Sequence, residues 1–288
     1  MGTYTIAGIW RYPVKSMLGE RMESATLGER GVAGDRGWAV IDADDGKTAS
    51  AKHPAKWGRL LHVRARYLEE PAVELTFPDG TTVTTGDADV DQRLSDYLGR
   101  PVRLANTPPE GSQFEEVWPT DIEGLAPEAV IQATTASMTP DGEPISAFPI
   151  SMDAPPGTFF DVTTLHVITT AALAALRAAA PDADFDVRRY RPNLLLESDE
   201  VGFVENDWVG HTLAIGSEAR ARVDLPTMRC VMTTLGQGDI GPDRSTLRTI
   251  AAVNRVELQG GGVWACAGAY ATVTDGGRLR VGDQVTVQ

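Results

Sequence analysis

Through the first hundred residues, apolar and polar positions alternate in short runs: Thr3 to Trp10, Gly37 to Ile41, Gly58 to Tyr67, Val73 to Phe77 and Thr81 to Thr85. The last two flank Pro78-Asp79-Gly80. Alternate residues of an extended chain share a face, so these runs predict hairpins that build a small barrel or sandwich. The period changes at Asp89. Val90, Leu94, Tyr97 and Leu98 share a helical face, Asp89 and Gln92 stand as a capping-box-like pair, and Pro101 lies just beyond the end.

Between about 106 and 157 the chain is rich in Pro, Gly, Glu and Ser, with little sustained periodicity, which reads as a connector or a flap over a site. The pattern then recovers with a strand over Leu165 to Ile168 and a helix from about Thr170 that ends before Pro181. Strands at Leu194 to Leu196, Thr212 to Ile215, Ala219 to Val223 and Met228 to Thr234 follow. Leu247, Ile250 and Ala251 mark the inner face of another helix capped by Asp243 or Ser245, before β-prone runs at Val263 to Thr274 and Arg278 to Val287. The expected fold class is mainly β (α+β), with a few short helices. An N-terminal β-barrel-like domain, 1–105, is followed by a larger β-barrel domain, 106–288, whose first part, 106–157, is the connector.

With 288 residues, 42% of them hydrophobic, the chain can bury a sizeable core. A formal net charge of −14 argues against a general nucleic-acid or anionic-membrane surface, so any anionic ligand must be met by locally clustered Arg and Lys. The sequence lacks a signal-peptide pattern and has Ile6 where a myristoylation signal needs Ser or Thr; the most apolar helix candidate, Ala171 to Ala180, is too short for a bilayer. The expectation is a cytoplasmic protein with no nucleic-acid or membrane partner. Its two cysteines, Cys230 and Cys266, form no CxxC pair and supply neither a zinc ribbon nor an iron–sulfur ligand set.

Candidate chemistry centres on Cys230. A thiolate is a soft ligand for transition metals, and the adjacent Arg229 is expected to lower the thiol pKa; the other reading is a small buried hydrophobe. Cys266, between alanines, reads as a core thiol. Arg188-Arg189-Tyr190-Arg191 concentrates three guanidinium groups, suited to phosphate or simply a solvated run. If Arg191-Pro192-Asn193 is extended, Arg191 and Asn193 point the same way. Lys15-Ser16 offers an ammonium, a hydroxyl and a backbone N–H to a phosphate, whereas Arg36 is either a ligand of the same kind or a turn salt bridge to Asp35. His166 reads as a satisfied core residue. Asp161 and Asp186 are proton donors only if buried beside a metal.

Arg229-Cys230-Val231-Met232-Thr233-Thr234 resembles the cysteine motif of the MOSC family, specifically its molybdenum-dependent amidoxime-reducing branch. Tyr12-Pro13-Val14-Lys15-Ser16, Gly34-Asp35-Arg36 and Arg188-Arg189-Tyr190-Arg191-Pro192-Asn193 fit the same branch in the same order. The resemblance implies an N-terminal MOSC β-barrel domain before the MOSC domain. It further implies a molybdenum–molybdopterin cofactor with Cys230 as metal ligand and catalytic residue. Cofactor contacts would come from Lys15, Ser16, Arg36, Arg191, Asn193 and Arg229, and by weaker correspondence from Thr163 and Tyr270. Met228 departs from the serine common at that position and removes a donor.

The activity so implied is reduction of small N-hydroxylated compounds, amidoximes and hydroxylamines, with oxygen leaving as water. Some bacterial members carry a C-terminal ferredoxin-like domain, and this sequence ends at Gln288, so the expectation is a separate reductase or ferredoxin-type electron donor. The alternatives are a non-catalytic cofactor carrier or maturation module, and a metal-free enzyme using Cys230 as nucleophile, which lacks a supporting His motif.

Overall fold

The computed structural model describes residues 2–258 and 260–288. Its largest element is a closed seven-strand barrel of β1 (Thr3–Arg11), β2 (Leu165–Thr169), β3 (Leu194–Glu197), β4 (Thr212–Ile215), β5 (Ala219–Met228), β6 (Gly262–Asp275) and β7 (Gln284–Val287). The order around it is β2-β3-β1-β7-β4-β5-β6, and β6 closes on β2 with Leu165 opposite Ala271 and Val167 opposite Ala269. All these pairings are antiparallel except β2 with β3. Helix α1 (Thr170–Ala179) supplies the crossover that a parallel pair needs. The Thr169 hydroxyl caps it, accepting from Ala172 N at 3.0 Å.

Alternation along the staves sends Ile6, Val167, Leu196, Leu213, Val223 and Val285 into one buried interior cluster. On the outside, α1 and α2 (Ser245–Val253) pack Leu173, Leu176, Leu247 and Ile250 against Ile168 and Cys266. Cys266 is fully buried, as its apolar neighbours predict. The mainly β reading with short helices therefore holds.

A separate core of Val14, Met17, Val40, Leu60, Leu75 and Leu94 organises the N-terminal part. Ala39–Asp42 pairs with Val102–Ala105, and Arg64–Tyr67, Val73–Thr76 and Thr82–Thr84 form a meander. Helix Val90–Leu98 buries Val90, Leu94 and Leu98, as its periodicity predicts. The expected capping box is absent: Asp89 makes no cap bond, and Gln92 donates to Asp96 instead, at 2.7 Å. The first strand of the chain does not join this core. It is a stave of the barrel, between β3 and β7, so it ties the N-terminal part to the second core and delivers Tyr12–Ser16 to the junction.

Three segments differ from the sequence reading. Gly58–His62 is a 3-10 turn after the Pro-initiated helix Pro54–Trp57, leaving only Arg64–Tyr67 as strand. The Pro/Gly-rich connector contains a three-stranded sheet, Gln113–Val117, Pro144–Pro149 and Thr135–Met138, with a helix at Glu128–Thr134. The run Met228 to Thr234 is not one strand: β5 stops at Met228 and Val231–Thr234 is a 3-10 turn. Thr233 Oγ1 donates to Cys230 O at 3.2 Å and Thr234 Oγ1 to Val231 O at 2.8 Å, local bonds that compete with a strand ladder. Among the described residues no helix is long and apolar enough to cross a membrane.

Candidate functional site

Where β5 leaves the barrel, half-buried Cys230 faces a cavity between the barrel and the N-terminal part. Six cations line it, Lys15, Lys52, Arg36, Arg189, Arg191 and Arg229, against one lining carboxylate, Asp161. In a chain of net charge −14 this is a concentrated local exception. Three of the four described non-glycine residues with positive φ belong to the lining: Ser16 at 63°, Arg36 at 48° and Arg191 at 52°. Such conformations cost free energy and gather where the surroundings hold a backbone for function.

The segment after β1 runs beside the turn at Gly34-Asp35-Arg36. Lys15 N donates to Trp38 O at 2.9 Å, and Arg36 N to Tyr12 O at 2.8 Å. Lys15 Nζ donates to Phe159 O at 3.0 Å and forms a short ion pair with Asp161; burial lowers its pKa despite that carboxylate. Ser16 Oγ accepts from Ala51 N at 3.0 Å, which spends part of its hydrogen-bonding capacity on the scaffold. Arg36 makes the salt bridge to Asp35 that its local sequence suggests and still lines the cavity, so those two roles are compatible.

Arg191 is not extended. Its left-handed backbone ends a 3-10 turn, Val187–Tyr190, and its guanidinium lies 4.2 Å over the Tyr12 ring. Nη1 donates to Met17 O at 2.7 Å, whereas buried Nη2 has no partner. Burial pulls this guanidinium down to about 10. Asn193 is a clamp between the two parts: Oδ1 accepts from His166 N at 3.1 Å and Nδ2 donates to Asp35 Oδ2 at 2.9 Å. The arginine run divides by role. Arg188 is bound to Asp186 and Asp239, while buried Arg189 donates to the carbonyls of Thr233, Leu235 and Gly241 at 3.3, 3.2 and 2.7 Å.

Arg229 is spent on the scaffold and not hydrogen-bonded to Cys230. Its Nε donates to Ala267 O at 2.7 Å, Nη1 to Tyr190 O at 3.2 Å, and Nη2 lies 2.6 Å from His166 Nε2. Burial, reinforced by Arg229, holds His166 well below its ordinary pKa, so the imidazole is neutral and accepts from the guanidinium. Gly268 permits this approach: it has φ +86°, and a Cβ there would stand 2.6 Å from His166 Nε2. For Cys230, burial pushes the thiol up to about 11, and the cation that opposes the rise is Lys52.

Lys52 is the principal lining residue that sequence reasoning missed. Its Nζ lies 3.0 Å from Glu116 Oε2, 3.3 Å from Asp161 Oδ2, and 4.8 Å from the Phe114 ring centroid. Glu116 and Phe114 belong to the sheet in the supposed connector, so that segment packs behind the lining and holds Lys52 in place. Burial alone would raise the Asp161 carboxyl, but Lys15 and Lys52 outweigh it and hold the group well below the usual carboxylate range. Asp161 is therefore an ionised anchor rather than a proton donor. Asp186, against Arg188, is likewise held low and ionised. Tyr270 lines the cavity with its ring 5.6 Å from that of His166. Thr163 lies in an adjoining smaller recess and donates to Leu165 O at 3.4 Å. Met228 reaches the cavity lining.

Among the described residues no group of three or more His, Cys, Asp or Glu is placed to hold a metal ion. A metal at Cys230 would therefore take its other ligands from a cofactor. The clustered cations and the unpartnered Arg191 nitrogen fit an anionic one.

The solved structure of the YUAD protein from Bacillus subtilis is similar over 99% of this chain and 96% of its own, with a TM-score of 0.45 and 10% identity. That of YiiM from Geobacillus stearothermophilus is similar over 43% and 54%, with a TM-score of 0.30 and 14% identity. No curated protein matches the sequence. The MOSC N-terminal beta barrel domain matches residues 3–114, including Lys15, Ser16 and Arg36, and the MOSC domain matches residues 157–286, including Arg191, Arg229 and Cys230. The two matches cover both walls of the Cys230 cavity, and the chain belongs to the MOSC proteins, with an N-terminal MOSC beta barrel domain preceding its MOSC domain.

Proposed function

We propose that this protein binds a molybdenum–molybdopterin cofactor through Cys230 and reduces small N-hydroxylated compounds, amidoximes and hydroxylamines, with electrons from a separate reductase or ferredoxin-type partner. MOSC domains are of the molybdenum-cofactor-binding type. The observation that carries the reading is a half-buried thiol facing a cavity with six cations and one carboxylate. When bound, the molybdenum centre supplies two-electron oxygen-atom chemistry, converting an N–OH group to N–H with release of water.

The chain's own residues bind and orient. Cys230, protonated at neutral pH without the metal, surrenders its proton on ligation, so loading is coupled to proton release. Lys15, Arg36 and Arg191 meet the anionic part of the cofactor, and Arg191 has a donor with no other partner. Two protons are consumed per N–O bond reduced, and ionised Asp161 carries neither; the Lys52 ammonium and the Tyr270 hydroxyl, both held protonated at neutral pH, line the cavity as hydrogen-bond donors. Arg229 and His166 brace the barrel end beside the thiol. The cytoplasm is the proposed compartment.

Protein purified from a molybdate-supplied host is expected to contain molybdenum and pterin in equal amounts and to reduce an aryl amidoxime with a chemical electron donor. Cys230→Ser should abolish turnover while the protein stays folded. Loaded wild-type protein that turns over no N-hydroxylated compound would favour the carrier role, and protein that acquires no molybdenum under these conditions would refute both.

A further inference from the structure

The Cys230 cavity holds about 90 Å³, too little for a pterin with its phosphate, since sites for molecules of that size run to roughly 300 Å³ or more. Arg191 lines a second cavity of about 360 Å³ as well. There Trp10 and Tyr12 offer aromatic surface, Leu18 and Val187 are apolar, and Arg64 stands on an exposed strand position at the rim. Arg188, also in the lining, is already bound by Asp186 and Asp239.

Gln237 also lines this cavity. It is 1% exposed, and neither its amide nitrogen nor its amide oxygen has a partner. Its backbone is occupied, pairing with Ile240 in both directions at 2.9 Å. Buried polar atoms without partners are rare because each costs free energy, and a primary amide presents a donor and an acceptor side by side. That pair complements a lactam or amidine edge, where an N–H and a C=O or ring nitrogen stand adjacent.

We infer that the Gln237 cavity is a binding site for a planar N-heterocycle with a lactam–amidine edge, carried by a molecule whose negative charge is met by Arg191 and Arg64. Two ligands share this chemistry: the pterin end of a cofactor anchored at Cys230, and a free purine nucleotide. The first source rests on the function proposed above; the cavity itself does not.

The test is Gln237→Met, which keeps the length of the side chain and removes both amide atoms. Because the amide is unpartnered in the ligand-free protein, the ligand-free variant should melt at the same or a higher temperature than wild type, whereas ligand retention should fall about tenfold or more, as expected for losing a bidentate contact. A purely structural glutamine would not move these two readouts in opposite directions. Pterin content, read from the fluorescence of the oxidised extract, and calorimetric titration of ligand-free protein with GMP are measured for both proteins.

Lost pterin without GMP binding assigns the site to the cofactor, and GMP binding to wild type that the variant loses assigns it to a nucleotide. Unchanged pterin with unchanged or absent GMP binding overturns the inference. So does a lowered melting temperature with unchanged retention. If wild type carries no pterin, the proposed function fails and the GMP titration alone decides the cavity. If Gln237→Met does not fold, Arg64→Glu at the exposed rim replaces it, and undiminished retention there overturns the inference.

Discussion

Arg189 and Arg191 are two positions apart, and their substitution should produce opposite signatures. Arg189 is buried, and its guanidinium holds three backbone carbonyls, those of Thr233, Leu235 and Gly241, in the segment that follows Cys230. Its ion pair with Asp184 adds little, since that carboxylate is 52% exposed. Arg189→Met retains most of the side-chain volume, so the loss reports the hydrogen bonds. Three stranded carbonyls at about 1–3 kcal/mol each, offset by relief of a buried charge, give a cost of about 3–4 kcal/mol. At roughly 2–4 °C per kcal/mol for a chain of this size, the melting temperature should fall about 6–16 °C. Arg191→Met loses one bond, to Met17 O, and the contact over Tyr12, but removes an unpartnered nitrogen. Its net cost should be about 1 kcal/mol. Cofactor retention should instead fall about tenfold or more, the loss expected for one charge-assisted contact. Thermal unfolding by circular dichroism, alongside molybdenum content, reads both. An Arg189→Met protein melting within about 3 °C of wild type would refute the assignment of roles.

In ligand-free protein, Cys230 should alkylate slowly at pH 8 and progressively faster toward pH 11. Its pKa is raised from 9.0 to about 11, so the stability it contributes is complete below pH 9 and lost as pH rises through 11. Mass spectrometry of iodoacetamide-treated protein follows the labelling, and Lys52→Met, which removes the opposing cation, should move its onset to higher pH. Cys266, pushed up to about 12 and fully buried, should label only after unfolding. Gly268→Ala should destabilise by about 3 kcal/mol or more, measured by urea unfolding, because its Cβ meets His166 and Val167 at 2.6 Å on a left-handed backbone. Cys266→Ala should cost only about 1 kcal/mol and leave metal content intact, in contrast to Cys230→Ser.

What the sequence made legible depended on whether chemistry and partner lay in the same segment. Alternation identified β1 as a strand, but a period of two does not name the neighbour, and its assignment to the N-terminal part missed the pairing with β3 and β7. Motif residues Lys15, Arg36, Arg191 and Cys230 do meet at one cavity. Lys52 carried no signal because its function depends on Glu116 and Asp161, which are remote in sequence. The strand Gln113–Val117 was hidden because Glu115 and Glu116 are buried only through Lys47, Lys56 and Lys52 folding over them. The β-branched run after Cys230 looked like a strand until its threonine hydroxyls turned back on the local carbonyls.

The place of β1 also fixes an order of events. Thr3 pairs with Thr286, so the barrel closes only by joining staves remote in sequence, and the loop-closure entropy of everything between them must be overcome. Tyr12, Lys15 and Ser16 follow directly from that stave, while Arg191 and Cys230 sit on the other wall. Until those staves meet, the chain has the cations and the thiol without the cavity that gathers them. Any anionic ligand of this cavity, the proposed cofactor included, therefore meets a barrel that has already closed.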